Sequence, residues 1–318
     1  MMDWSDRHCR YFFRQLAPHA VLYTEMVTSG ALVHGDLRRH LAFDSAEHPI
    51  ALQLGGSDPQ ELARCARLGE DWGYDEINLN CGCPSERVQK GSFGACLMAE
   101  PELVADCVSA MRDAVALPVT VKHRLGIDSM EDFDFVRRFV EVVSRAGCTT
   151  FIVHARNAML KGLSPRDNRQ IPPLRYEYAY RLKREFQRLE IVINGGLVEV
   201  APTLAQLSQV DGVMLGRSAY HDSYVLALLD SNLFGAPAPS RREVVETMRQ
   251  YATREVPLGT PLRAIARHML GLYHGEPGAR VWRRMLSDAQ LLARNDPELL
   301  LDALSATETR QGSPAETV

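Results

Sequence analysis

Glu76-Ile77-Asn78-Leu79-Asn80-Cys81-Gly82-Cys83-Pro84-Ser85 is the stretch on which the reading of this chain turns. A segment of strand length runs straight into a Gly/Pro turn, which places Asn80 and Cys83 just past a buried strand, facing a cleft rather than a core. Segments of the same kind recur at intervals suited to helical crossovers: Val21 to Thr24, Ile50 to Leu54, Val119 to Lys122, Phe151 to His154, Ile191 to Asn194 and Gly212 to Gly216. Helix-like stretches lie between them, at Asp58 to Trp72, Glu102 to Ala114, Glu131 to Ala146 and Tyr178 to Arg188, and Asp128 with Glu131 has capping-box spacing. Strict alternation of strand and helix predicts a parallel sheet.

Five strands end on polar residues, Gln53, Asn80, Lys122, His154 and Asn194, on the side where (β/α)8 barrels carry their chemistry. The reading is therefore an α/β TIM barrel. Its first helix, at Asp6 to Leu16, begins almost at the start of the chain, so the first strand is expected to lie before Met1. An open doubly wound sheet is the competing architecture, but no Gly-rich dinucleotide fingerprint follows an early strand. Gly235-Ala236-Pro237-Ala238-Pro239 reads as a linker, after which several helices are interrupted at Pro257, Pro261, Pro277 and Pro297. The expected division is a barrel over 1–234, a small all-α domain over 240–305 and a disordered tail over 306–318.

A chain of 318 residues with 46% hydrophobic content can bury a substantial core. No run of 18 apolar residues is present and Met1 to Arg7 has no apolar signal core, so the expected location is the cytoplasm. Seven cysteines, scattered and odd in number, fit a reducing compartment better than a disulfide framework. The net charge of −4 conceals two basic regions: ten arginines against five acidic residues from Ser240 to Arg294, and nine Lys/Arg against three acidic residues from Arg156 to Arg188. Such clusters are either solvated helix faces or the footprint of a phosphate backbone.

Several motifs now converge. NLNCGCPSERVQKGSFGACLM from Asn78, with MMDWSDRHCRYFFR at the start, ALQLGG from Ala51, VKHRLGID from Val121, FIVHAR from Phe151, INGG from Ile193, LGR from Leu215 and PGARVWRR from Pro277, resembles the tRNA-dihydrouridine synthases, most closely their A-type bacterial subfamily. The resemblance runs from Met1 through the C-terminal helices. It implies an FMN-dependent flavoprotein that reduces the C5=C6 bond of D-loop uridines 20 and 20a, with NADPH as the usual reductant and NADH as the alternative.

Motif by motif, the resemblance implies FMN contacts from Met1, Met2, Gln53, Lys122, His154, Asn194, Gly195, Gly196, Gly216 and Arg217. Glycines at the last strand ends allow backbone N–H groups to approach a phosphate, and Lys122 with His154 supplies donors to the edge of a reduced flavin. Taken singly, Gln53 facing a loop, Asn194 capping a helix and Lys122 as a Schiff-base lysine of an aldolase-type barrel are open as well. Cys83 matches the proton donor to C5, with hydride arriving at C6 from flavin N5. An unperturbed thiol, with a pKa of about 8.5, holds its proton at neutral pH yet can yield it. Its rivals read otherwise. Cys96 lies among apolar residues, and Cys81 has no second Cys/His pair to complete a metal site.

Asn80, Arg166, Arg169, Arg280 and Arg283 match substrate positions of the subfamily, and a spacing of three puts the last two on one helix face. The partner implied is tRNA, with its target nucleotide turned out of the fold at a cost of a few kcal/mol that phosphate contacts must offset. Nothing in the sequence points to a membrane, a metal or an obligate protein partner. Two rivals stay open here: a flavin barrel acting on a free pyrimidine, like the dihydroorotate dehydrogenases, and a tRNA-binding protein without catalysis.

Overall fold

The computed structural model describes residues 1–311, and the side chains of residues 87, 90 and 311 fall outside that description. The chain divides into two compact units: Met1–Met2 with Val21–Gly216, and Asp3–Ala20 with the chain from Arg217 onward.

The first unit is a parallel sheet of eight strands: β1 Leu22–Tyr23, β2 Val27–Thr28, β3 Ile50–Gly55, β4 Glu76–Cys81, β5 Val119–His123, β6 Thr150–His154, β7 Glu190–Asn194 and β8 Gly212–Met214. The order is β1-β3-β4-β5-β6-β7-β8, with β2 also on β3, and every pairing is parallel. Sequential parallel order with helical crossovers is the (β/α)8 barrel architecture. All seven anticipated strands are present. The unanticipated one, β2, is two residues long and carries no periodicity to read.

Which face of the sheet is inside follows from one close approach. A Cβ on Gly69, in the helix Pro59–Asp71, would stand 2.6 Å from Ile77 Cδ1 and 3.0 Å from Leu52 Cδ2, so those side chains face the helices. Gln53, Glu76, Asn78 and Asn80 therefore point to the barrel interior, by the period of two along a strand. The fully buried Leu52, Ile77, Leu79, Cys81 and Val121 belong to the main apolar core, with Val104, Val108, Val136 and Val140 from the crossover helices.

Helix Phe133–Arg145 corrects the anticipated capping box. Its N-cap is Asp132, which accepts from Phe135 N, whereas Asp128 adopts a left-handed conformation (φ 48°) and its Oδ1 accepts from Leu160 N. Asp128 serves a loop at the barrel mouth instead.

In the second unit, helix Arg7–Leu16 is N-capped by Asp6 and packs on Tyr224–Phe234 and Arg241–Glu255. Tyr11 stacks on Tyr251 at 3.9 Å, His8 Nδ1 lies 2.7 Å from the Tyr251 hydroxyl, and Arg7 pairs with Glu255 at 2.6 Å. The first helix thus associates with the C-terminal helices, since the apolar side of its amphipathic pattern is matched there. The helix Leu299–Gln311 runs past the point where a tail was anticipated: Thr307 is fully buried and its hydroxyl donates to Ala303 O. The rest of that segment, 312–318, lies outside the described residues. No helix among the described residues is long and apolar enough to cross a membrane.

Candidate active site

Register brings the polar strand ends together. Asn80 is paired with Lys122, and His154 with Asn194, so the residues singled out from sequence occupy neighbouring interior positions at the C-terminal ends of β3 to β7. Lys122 Nζ donates to Asn194 Oδ1 at 3.2 Å, and Asn194 Nδ2 donates to Met214 O at 2.7 Å. Gln53 Oε1 accepts from Asn80 Nδ2 at 2.8 Å.

Cys83 sits on a turn built by Asn80. The Asn80 Oδ1 accepts from both Gly82 N and Cys83 N at 3.0 Å, an Asx turn that fixes the backbone leaving β4. The Cys83 carbonyl accepts from Ala95 N at 2.9 Å, and Gly94 is held at φ 76°, where a Cβ would stand 2.6 Å from that carbonyl oxygen. The thiol itself is partly exposed and lies 3.5 Å from Ser85 Oγ. Lys122 and Arg124 are its charged neighbours at the barrel mouth. The rivals are disposed otherwise: Cys81 is fully buried against the helices, with burial holding its thiol well above the usual range. Cys96 is half-buried rather than fully so, donates to Phe93 O, and is pushed up by burial. Among the described residues no group of His, Cys, Asp and Glu is arranged to hold a metal ion.

Electrostatically, the mouth of the barrel is positive and desolvated. Burial, with help from the Arg124 charge, pushes Lys122 down to about 7, and burial followed by Arg124 and Lys122 holds His154 well below its ordinary value. A neutral imidazole offers one donor and one acceptor, and Lys122 is a donor that exchanges its charge near neutrality. The lysine has a consequence for stability. Below about 7 it is charged in both folded and unfolded chains and the burial cost is carried in full, whereas between 7 and its ordinary 10.5 the folded chain has shed the proton first. Across that interval the ligand-free parent should gain stability relative to Lys122→Met, by up to a few kcal/mol. Thermal melts of both proteins over that pH range would show it, and parallel curves would refute it.

At the ends of β7 and β8 the backbone forms a cradle. Gly195 and Gly196 have φ of 111° and 69°, and a Cβ on them would stand 2.7 Å from His154 Cδ2 and 2.5 Å from Leu174 Cδ1 respectively. Only glycine serves at both positions, by conformation and by space. Tyr176 secures the turn by donating to Gly195 O at 2.6 Å. Beside Gly216, at the end of β8, lies the Met1 sulfur, 3.8 Å from where a Cβ would be, while Met2 is exposed. Arg217 begins the C-terminal segment of the second unit and opens the helix Arg217–His221. A strand-end glycine cradle with Lys122, Gln53 and a neutral His154 nearby has the donor set a flavin mononucleotide needs, since it combines a phosphate corner with partners for a ring that carries amide edges.

Sequence reasoning missed the two side chains that tie the mouth together. Arg124 is buried and donates to Gly82 O, Asn157 O and Asn168 O, at 3.1, 3.3 and 2.8 Å. Gln89 Nε2 donates to both Pro84 O and Leu160 O. Each joins the Cys83 loop to the loop after β6, which carries the exposed Arg166 and Arg169 and is held internally by the buried Asn168. Arg169 is close enough to contribute to the field at His154. In the second unit, helix Ala279–Ser287 buries Trp282 and Leu286 and exposes Arg280, Arg283 and Arg284, so the two arginines identified from sequence do share an outer face.

The family model described as dihydrouridine synthase matches residues 1–308. Proteins named tRNA-dihydrouridine(20/20a) synthase are close relatives: that of Synechocystis is 56% identical over 96% of this chain and 92% of its own length. Those of Xanthomonas axonopodis pv. citri (54%, over 98% and 93%) and Pseudomonas aeruginosa (57%, over 90% and 87%) are similarly related.

Proposed function

The chain belongs to the dihydrouridine synthase family, and from that premise we propose that it reduces the C5=C6 bond of uridine in the tRNA D-loop, at positions 20 and 20a as in the names of its relatives. The cofactor is FMN, held by Gln53, Lys122, His154, Asn194, the Gly195–Gly196 cradle, Gly216, Met1, Met2 and Arg217. Bound there and reduced by NADPH, FMN would supply the hydride for C6 of the base.

The observation that carries this reading is the partly exposed Cys83 thiol, locked on an Asx turn at the barrel mouth beside Lys122. A positioned thiol can hold a proton at Sγ for delivery to C5, and general acids of this kind accelerate reactions by about 10² to 10⁴. Lys122 stabilises negative charge that gathers at the barrel end, and His154 adds a neutral donor. Arg166 and Arg169 on one loop of the first unit, and separately Arg280 with Arg283 on one helix of the second, supply contacts for the phosphate backbone of a tRNA, whose target nucleotide is turned out of the fold. Asn80 reaches substrate only with whatever hydrogen-bonding capacity the Asx turn and Gln53 leave it.

A free-pyrimidine enzyme would have no use for those arginines. The reduced holoenzyme should therefore be reoxidised by tRNA and not by orotate or free uridine. Anaerobic stopped-flow absorbance of the flavin separates these outcomes, and reoxidation by orotate without reoxidation by tRNA would overturn the assignment. The purified protein should also be yellow and release FMN rather than FAD, and folded protein that stays colourless with excess FMN would refute the cofactor.

A further inference from the structure

On the side formed by β1, β3, β4 and β5 the interior of this barrel is polar, where an interior of branched apolar side chains would be the stable default. Six side chains from four strands form a single head-to-tail chain of hydrogen bonds. Gly82 N and Cys83 N donate to Asn80 Oδ1 at 3.0 Å, and Asn80 Nδ2 donates to Gln53 Oε1 at 2.8 Å. Gln53 Nε2 then donates to Asn78 Oδ1 at 2.9 Å, and Asn78 Nδ2 to Thr120 Oγ1 at 2.8 Å. Thr120 Oγ1 donates to Glu76 Oε1 at 2.5 Å, and the Tyr23 hydroxyl donates to the same oxygen at 2.8 Å.

Both ends of this chain have a fixed sense. A backbone N–H can only donate, and Glu76 Oε1 accepts twice, from the Thr120 and Tyr23 hydroxyls, which oppose the upward push of burial on that carboxyl. Burial, and then the neighbouring carboxylate, push the Tyr23 phenol upward, which keeps it a donor. Between these ends each carboxamide has one orientation that satisfies its neighbours, and turning any one of them sets oxygen against oxygen. Glu76 begins β4 and Asn80 lies four residues on, so the sense of the chain is set about 13 Å below the Cys83 turn.

We propose that Glu76 is a positioning residue for the reaction, acting through Thr120 and Asn78 to fix the carboxamide orientations of Gln53 and Asn80 and hence the placement of the Cys83 backbone. This rests on the proposed reduction of tRNA uridine. Asn80 on this account serves chiefly to hold the Cys83 turn, because its Oδ1 already accepts two backbone N–H groups and its Nδ2 one carboxamide oxygen. A mainly structural role would predict loss of stability alone. The positioning role predicts a slower proton-transfer step at saturating tRNA, with little change in tRNA affinity.

Thr120→Val removes the relay hydroxyl while keeping the side-chain shape, and Thr120→Ser restores it. In the FMN-loaded protein, amide exchange of the peptide containing Gly82 and Cys83 should quicken in Thr120→Val. Reoxidation of reduced flavin at saturating tRNA should slow by about ten-fold, the factor that one neutral hydrogen bond is worth. The half-saturating tRNA concentration should stay within about two-fold, and Thr120→Ser should behave as the parent in both assays. If Thr120→Val does not fold, Glu76→Met breaks the same chain at its end and should give the same pair of changes. A folded chain-breaking variant with parental exchange and parental reoxidation overturns the proposal. So does failure of Thr120→Ser to restore them. If the parent's reduced flavin is not reoxidised by tRNA, the functional reading fails, and the exchange measurement alone decides whether Glu76 holds the Cys83 turn.

Discussion

Cys83→Ala should remain folded, bind FMN and be reduced by NADPH, yet its reduced flavin should be reoxidised by tRNA about 10² to 10⁴ times more slowly than in the parent. The substitution removes Sγ, while the turn that carries it is made by backbone groups and Asn80, so its geometry survives. Cys96→Ala is the matched control. Its thiol is spent on Phe93 O and is pushed up by burial, so this variant should turn over close to normally. Normal tRNA-dependent reoxidation in Cys83→Ala, or a comparable loss in Cys96→Ala, would contradict the role of Cys83.

Replacing Arg280 and Arg283 together by alanine should weaken tRNA binding and leave flavin binding and NADPH reduction unchanged. Both lie on the exposed face of helix Ala279–Ser287, whose stability rests on the opposite face through Trp282 and Leu286. Trp282 also donates from Nε1 to Met269 O at 2.8 Å, which secures the helix independently of its arginines. Losing two phosphate contacts should reduce the slope of log affinity against log salt by roughly 1.4 to 1.8. A salt series of binding isotherms reads that slope directly. An unchanged slope and affinity would make this face an ordinary solvated surface.

The parallel strands and most crossover helices were legible because each carries its own local signal, an apolar run or a helical period closed by Gly or Pro. The interior ladder of Glu76, Asn78 and Asn80 was not. Polar residues alternating with Ile77 and Leu79 mark one face of a strand, but the segment alone does not say which side chains of other strands that face meets. Thr120 and Tyr23 join the ladder through pairings between strands that no single segment reveals. Arg124 escaped for a related reason: its three acceptors, at Gly82, Asn157 and Asn168, are 33 to 44 residues away, so nothing local distinguishes a buried clamp from a surface arginine. Asp128 misled because capping-box spacing is satisfied by the sequence, while the residue is used at a left-handed turn against Leu160. The strand ends at Lys122, His154 and Asn194 were recovered as one cluster because a barrel places all its C-terminal ends at one mouth.

The most direct measurement is made on the product. Purified protein supplied with FMN and NADPH should be incubated with tRNA that lacks dihydrouridine, and the modified positions mapped by mass spectrometry of nuclease fragments. The account predicts dihydrouridine at positions 20 and 20a, in amounts that track NADPH consumption and vanish with Cys83→Ala. Flavin that cycles with NADPH while the tRNA gains no dihydrouridine, or gains it equally in Cys83→Ala, would contradict it.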